Sequence, residues 1–241
     1  MAKFKVKYLN LRGRAESIRL LLNYVQQPYE DSRENFLEFA NYRDKLPLAH
    51  LPKLVVDNKF ELCYSSVILQ YLGEKFGLEN ETAEEKAICA MLAQRINDHF
   101  EYLKPYVNCL LGLIPANNVK AKGTKCHPQN PLKLPSLAER CLRPCITEDF
   151  GPVFERHLEA NNTGGHLPNL AFFGMFPFEG YLVGDKLTWV DFFAASFADL
   201  ALTFGRFDIL DRFPRVLHHC RAVYSLPQLQ QHIKNRPDTL F

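Results

Sequence analysis

Three places in the chain carry residue types that could bind and activate a small polar molecule. The first is Tyr8-Leu-Asn-Leu-Arg-Gly-Arg14-Ala-Glu16-Ser-Ile-Arg19. A tyrosine at the end of a first strand, beside the turn into a first helix, can face the cleft at the carboxyl ends of strands in an open α/β sheet. Taken alone, Tyr8 reads more simply as one of ten tyrosines, filling a strand. The second is His50-Leu51-Pro52, just before Lys-Leu-Val-Val56. A proline immediately ahead of a strand suits a cis peptide bond, which would turn the Leu51 backbone outward as a donor and acceptor pair. Such a pair docks an extended peptide as an added strand would; a trans proline that merely begins the strand fits the same letters. The third is Tyr64-Ser65-Ser66 at a helix start. Free N–H groups, the helix dipole and a hydroxyl make a carboxylate site there, and an ordinary N-cap is equally consistent.

Other chemistries find less support. Seven cysteines form an odd set without a C-x-x-C pair, as expected of thiols in a reducing compartment. Cys126-His127 with Cys141 and Cys145 matches no common zinc spacing, so no metal is expected. The 29 basic and 27 acidic residues are spread along the chain and leave a formal charge of +2. That balance gives no electrostatic reason for a nucleic acid or an anionic membrane as partner. The start, Met1-Ala-Lys-Phe-Lys-Val-Lys-Tyr8, puts charges where a signal peptide needs an unbroken apolar stretch. No run of 18 apolar residues is present to span a bilayer, and a cytoplasmic location is the expectation.

The elements that must position these residues are legible in outline. With 47% hydrophobic and 23% charged residues over 241 positions, the chain fits one large domain or two modest ones. Residues 3–9 alternate with period two and predict a strand. Ile18, Leu21, Leu22 and Val25 share a helical face within 16–25. Tyr29–Arg33 can form a second strand, and 36–46 a helix ended by Pro47. Leu54–Val56 and Phe60–Leu62 flank Asp57-Asn-Lys59 as strand, turn and strand. Ser65 opens a helix that Gly77 stops. The order βαβ, α, ββα within 77 residues is a thioredoxin-like arrangement. A polar connector at 79–84 follows, then helical patterning at 83–113, around 147–160, at 188–204 and at 214–233. The expectation is an α/β domain over 1–78 and an all-helical domain over 85–241. Two stretches near 115–135 and 166–179 interrupt the pattern; the first reads as a loop and the second fits no element.

The string Y-L-N-L-R-G-R-A-E-x-I-R, with Y-E-D-x-R at Tyr29–Arg33, L-P at 51–52 and S-S at 65–66, resembles the glutathione transferases, most closely their sigma class. The second half agrees. Tyr181-Leu-Val-Gly-Asp-Lys-Leu-Thr188-Trp189-Val-Asp191 resembles the capping box that opens the core helix of that family's helical domain. The resemblance spans nearly all of 1–114 and 147–241, apart from 166–179. The two interruptions look like additions to the family spacing, either lids beside an apolar pocket or extra coding sequence.

The resemblance implies that glutathione is the co-substrate and an apolar electrophile the second substrate. Tyr8 would donate to the glutathione sulfur, and Arg14 would support it electrostatically. Leu51 with a cis Pro52 would pair with the cysteinyl backbone, and Ser65 would hold the γ-glutamyl carboxylate. Arg43 falls where the family often places a lysine for the glycine carboxylate. Asp98 falls where the sigma class reaches across a homodimer to the γ-glutamyl amine. Four positions depart from the pattern. Phe39 replaces a tryptophan and has no N–H to give; His50 replaces a glutamine or lysine; Tyr64 replaces a glutamine; Ala49 replaces a glycine. Weaker glutathione binding than in a typical member is expected. The second substrate is expected to meet Phe100, Tyr102, Tyr106 and Leu110, although an aromatic stripe of that kind is more often core. Conjugation is the expected reaction, with peroxide reduction or prostaglandin isomerisation open to the same thiolate. The rival reading is a non-catalytic carrier of apolar ligands or a crystallin-like structural protein on the same fold.

Overall fold

The computed structural model describes residues 2–45, 48, 50–113, 138–161, 180–205 and 208–239. The two expected additions, and Cys126 and His127, lie outside the described residues.

The first half is a four-stranded sheet with helices. β1 (Phe4–Leu9) is followed by α1 (Glu16–Tyr24), β2 (Tyr29–Glu34) and α2 (Phe36–Tyr42), then β3 (Lys53–Val56), β4 (Phe60–Cys63) and α3 (Ser65–Lys75). The strand order is β2-β1-β3-β4. β1 runs parallel to β2, with Tyr8 opposite Arg33, and antiparallel to β3. The β1–α1–β2 crossover puts β1 in the middle of the sheet, so its carboxyl end opens between α1 and whatever covers the sheet. Asp57 and Asn58 both take positive φ (52° and 55°), the left-handed pair of a tight turn joining β3 to β4.

The second half is helical, and among its described residues no strand occurs. α4 (Ala83–Leu110) opens on a capping box between Thr82 and Glu85. Residues 138–142 and 145–150 are wound as π-helix and lead into α5 (Gly151–Ala160). Regular α-helix there is thus shorter than the sequence pattern suggested. α6 (Trp189–Phe204) is the hydrophobic axis, with every residue from Trp189 to Ala198 buried. A helix apolar on all sides belongs in a core. Asp191 is the exception that fixes its start: one carboxylate oxygen accepts from Thr188 N at 2.7 Å and Thr188 Oγ1 at 2.8 Å, the other from Leu182 N at 2.9 Å. The periodic stretch 214–233 is two helices, α7 (Pro214–Tyr224) and α8 (Gln230–Asn235), because Pro227 interrupts the hydrogen-bond ladder.

The halves share one core through α3 and α6. Gly73 is required there: a Cβ would fall 2.5 Å from Trp189 Cδ1.

Candidate functional site

Tyr8 sits one residue from the end of β1, and its phenol is 8% exposed. The turn that follows is shaped to admit it. Gly13 has φ +38°, and a Cβ there would lie 2.8 Å from the phenol oxygen. The Arg14 N–H donates to that oxygen at 3.3 Å. Burial pushes the phenol pKa up, against the pull of the Arg14 guanidinium. The group is therefore neutral at physiological pH and keeps a proton to donate.

The same turn is held from behind by ions. The Arg19 guanidinium is fully buried; it donates to the Leu11 carbonyl at 2.9 Å, to Glu16 Oε2 at 3.3 Å and to Asp31 Oδ1 at 3.0 Å. The other Glu16 oxygen meets His232 Nε2 at 3.0 Å and lies 3.6 Å from Arg236. Burial alone would raise the Glu16 carboxyl, but the hydrogen bond and charge of His232, with Arg19 and Arg236, hold it at about 2. Arg19 Nη2 has no hydrogen-bond partner among the described residues, but the other contacts of this cluster fix the loop between β1 and α1.

Beside Tyr8 opens a cavity of about 340 Å³. Its sheet-side wall contains Tyr8, Arg14, Phe39, Arg43, His50, Leu51, Pro52, Tyr64 and Ser65, nine of the ten binding residues expected from the sequence. The Leu51–Pro52 bond is cis. Tyr64 has φ +68°, sparsely populated for a residue with a side chain, and its ring lies against His50 with centroids 4.7 Å apart. That turn delivers Ser65 to the first position of α3. Ser65 Oγ is buried, and among the described residues it has no hydrogen-bond partner. A buried hydroxyl without a partner, at a helix start, is suited to accept or donate to a bound anion. Phe39 is buried in the wall, and Arg43 stands exposed at its edge. Asp98, the tenth residue, is not brought to this cavity by its own chain. It is exposed, and its carboxylate accepts from Gln94 Nε2 at 2.9 Å.

The opposite wall is a single face of α4: Asn97, Phe100, Glu101, Lys104, Val107, Asn108 and, just past its end, Leu111. Arg14 ties the walls together. It donates to Glu101 Oε1 at 2.8 Å and Asn97 Oδ1 at 3.3 Å, with its guanidinium 4.7 Å from the Phe100 ring centroid. Of the aromatic stripe expected to meet the second substrate, only Phe100 lines the cavity. At about 100° per residue, positions 102, 106 and 110 lie roughly 200–280° round the helix from Phe100. Tyr106 is accordingly buried in the helical core and Tyr102 faces solvent. The true face was readable from the i, i+3, i+4, i+7 spacing that runs from Asn97 to Leu111.

No group of three His, Cys, Asp or Glu side chains among the described residues could hold a metal ion. Cys145 instead faces His99, with Sγ 3.7 Å from Nδ1, behind α4.

Residues 4–74 match the model for the glutathione S-transferase N-terminal domain, and residues 138–236 the model for the C-terminal domain. A Caenorhabditis elegans protein named probable glutathione S-transferase 5 is 30% identical over 244 residues, covering 100% of both chains. This chain belongs to the glutathione S-transferase family. The solved structure of a monomeric glutathione S-transferase from the hookworm Necator americanus aligns with TM-score 0.76 and 28% identity, over 99% of this chain and 100% of that one. A Nu-class enzyme from Haemonchus contortus aligns with TM-score 0.69 and 29% identity, over 100% of each chain. The co-substrate of glutathione S-transferases fits the residues of the sheet-side wall. Glutathione carries two carboxylates, a peptide backbone and a thiol; the wall offers a cation at Arg43, a buried hydroxyl at Ser65 and a neutral phenol at Tyr8.

Proposed function

We propose that this glutathione S-transferase activates the thiol of glutathione through Tyr8 and directs it at apolar electrophiles. The observation that carries this reading is the buried phenol held by Gly13 and the Arg14 N–H on the wall of the cavity. The phenol O–H donates to the sulfur and favours the thiolate, since a hydrogen bond to the charged form lowers a thiol's pKa. A depression of two pH units corresponds to about 2.7 kcal/mol. The thiolate then forms a bond to electrophilic carbon, with the electron pair leaving on a departing anion or moving into a conjugated carbonyl. Arg14 stabilises the charge beside Tyr8 and steadies the α4 wall. Ser65 and the start of α3 hold the γ-glutamyl carboxylate, Leu51 pairs with the cysteinyl backbone beside Pro52, and Arg43 takes the glycine carboxylate. Phe39 supplies contact without the N–H its family counterpart carries, and His50 and Tyr64 place their donors differently from the residues they replace, which weakens glutathione binding.

In this reading the protein is a sigma-type member, with an α/β domain over 1–78 joined by 79–84 to a helical domain over 85–241, and it is cytoplasmic. A homodimer would let Asp98 of a neighbour reach the γ-glutamyl amine. Exposed Phe60, Val67 and Met91 supply apolar surface for such a contact, while the Necator americanus relative is described as monomeric. Sedimentation velocity decides; a monomer at micromolar concentration removes Asp98 from the site.

The decisive experiment on chemistry is Tyr8→Phe with 1-chloro-2,4-dinitrobenzene as the electrophile. The expected result is a loss of about 100-fold in kcat/KM and a rise in the pKa seen in its pH profile. Equal rates in variant and parent would remove the phenol from the chemistry. They would favour the carrier or structural reading, which Phe39 and the His50–Tyr64 contact at the cavity edge also suit.

A further inference from the structure

A second cavity, of about 800 Å³, opens where the end of α1, β2 and residues 228–237 meet, and it shares no residue with the one beside Tyr8. Six carboxamides line it: Asn23, Gln26, Gln27, Gln228, Gln231 and Asn235. Four of them, Gln26, Gln228, Gln231 and Asn235, make no side-chain hydrogen bond among the described residues. Small-ligand pockets are lined mostly by apolar groups. A wall this rich in carboxamides, each a donor and an acceptor, fits a ligand that is itself rich in hydroxyls.

Two guanidiniums, Arg33 and Arg236, stand on the same wall. They belong to one alternating chain of ion pairs, Arg33–Asp31–Arg19–Glu16–Arg236–Asp199–Arg12, with steps of 2.8 to 3.6 Å. The chain begins and ends in arginine. Four cations thus face three carboxylates, and one positive charge is left over before His232 is counted. Two donors on it are uncommitted among the described residues. Arg33 gives Nε to Asp31 and Nη1 to Asn10, which leaves its Nη2; Arg19 Nη2 is buried without a partner. An unbalanced cation out of bulk water is costly until an anion joins it. The planar fork of arginine matches the oxygens of a phosphate. From this juxtaposition of an arginine excess with free carboxamides we infer that the cavity is a second ligand site, taking a phosphate monoester of a hydroxyl-rich small molecule. The phosphate meets the arginines, and the hydroxyls meet Gln26, Gln228, Gln231 and Asn235. The site does not depend on the Tyr8 chemistry. Sugar phosphates and nucleoside monophosphates share the required groups, and 800 Å³ admits either.

The test is isothermal titration of the full chain with glucose 6-phosphate and with adenosine 5′-monophosphate. Inorganic phosphate and glucose serve as the two halves of the ligand. At least one ester is expected to bind about tenfold or more tightly than either half, and the tighter ester identifies the source. Arg33→Gln should cost that ester about 10- to 100-fold in affinity. Gln231→Ala combined with Asn235→Ala should bring it down to the level of inorganic phosphate. Both of these residues are exposed, so the double variant keeps the parent's thermal midpoint and remains readable if Arg33→Gln fails to fold. Saturating glutathione should leave ester binding unchanged. Displacement by glutathione would put the ester in the cavity beside Tyr8 and overturn the inference. Inorganic phosphate binding as tightly as both esters would overturn it too, as would ester binding that survives the double variant. No heat from either ester at millimolar concentration would have the same result, and none of these failures would touch the Tyr8 chemistry.

Discussion

The two walls of the cavity are built on opposite principles. The sheet-side wall is assembled from short segments far apart in sequence, each at a place where the chain changes direction. These are the end of β1, the cis bond before β3 and the positive-φ turn before α3. The opposite wall is one uninterrupted helical face, with its side chains at the natural period of α4. Backbone at a turn can offer N–H groups, a bared hydroxyl and a fixed phenol, all of which suit a single polar ligand. A helix has its backbone satisfied internally and offers only side chains. The first construction therefore fits an invariant co-substrate, and the second fits a ligand whose shape varies. What stands behind each wall differs as well. The Tyr8 turn is backed by the charged groups Arg19, Glu16 and Arg236, with the His232 ring hydrogen-bonded to the Glu16 carboxylate. α4 is backed by a neutral imidazole, His99, stacked on Phe197 at 5.6 Å and edge-on to Phe150.

The largest expected effect follows from that last difference. Burial holds the His99 pKa down at about 4, against the pull of Asp149. Between pH 6.5 and 4 the unfolded chain binds a proton that the folded chain refuses. Stability is thus full above pH 6.5 and falls by about 3 kcal/mol as pH drops to 4. Glu16 has the same sign in a lower window: its contribution is complete above pH 4.5 and disappears as pH falls toward 2. The helical support should weaken first on acidification. Chemical denaturation across pH 7 to 4 checks this, with His99→Leu as the control whose upper arm should be flat. A parent as stable at pH 4.5 as at pH 7 would contradict the contrast.

Next in size is Ser65→Ala. A hydrogen bond to a charged group is worth about 1.5–3 kcal/mol, so KM for glutathione should rise by about 10- to 100-fold, with KM for the electrophile moving much less. Smallest is Val107→Ser on the helical wall, about two- to fivefold in KM for chlorodinitrobenzene with KM for glutathione held. Initial-rate kinetics with each substrate varied in turn resolves both. If each substitution moved both constants together, the two walls would not be functionally separable.

The sequence made the sheet-side wall easier to foresee than the helical one, although its residues are scattered. Three of them carry a local reason that survives without knowledge of the fold, Pro52 ahead of a strand, Ser65 ahead of a helical stripe and Tyr8 near the end of an alternating strand, while Phe39 and Arg43 follow from the family resemblance alone. Family resemblance then joined them, and nine of the ten line one cavity. The helical wall had the plainer signal, in the spacing of its side chains rather than in their size. The large side chains Tyr102, Tyr106 and Leu110 lie away from the cavity, whereas angular spacing from Phe100 selects Lys104, Val107 and Leu111. Size is a signal for burial, and Tyr106 is indeed buried, in the core. The split of 214–233 was legible in Pro227. The π-wound turns at 138–150 were not, since their apolar pattern hardly differs from that of an α-helix over so few residues. The second cavity could not be read at all, because it arises only where the end of α1, β2 and residues 228–237 meet.

The contact between Glu16 and His232 spans 216 positions of chain. A ribosome therefore makes the acid long before it makes the imidazole and the guanidinium of Arg236 that offset its desolvation. The opening βαβ segment can gather on the growing polypeptide with Arg19 already on one oxygen of the Glu16 carboxylate, but the other oxygen lacks His232 and Arg236 until translation has passed residue 236. A nascent chain stalled before that point would hold the turn beside Tyr8 less firmly than one in which His232 and Arg236 have docked.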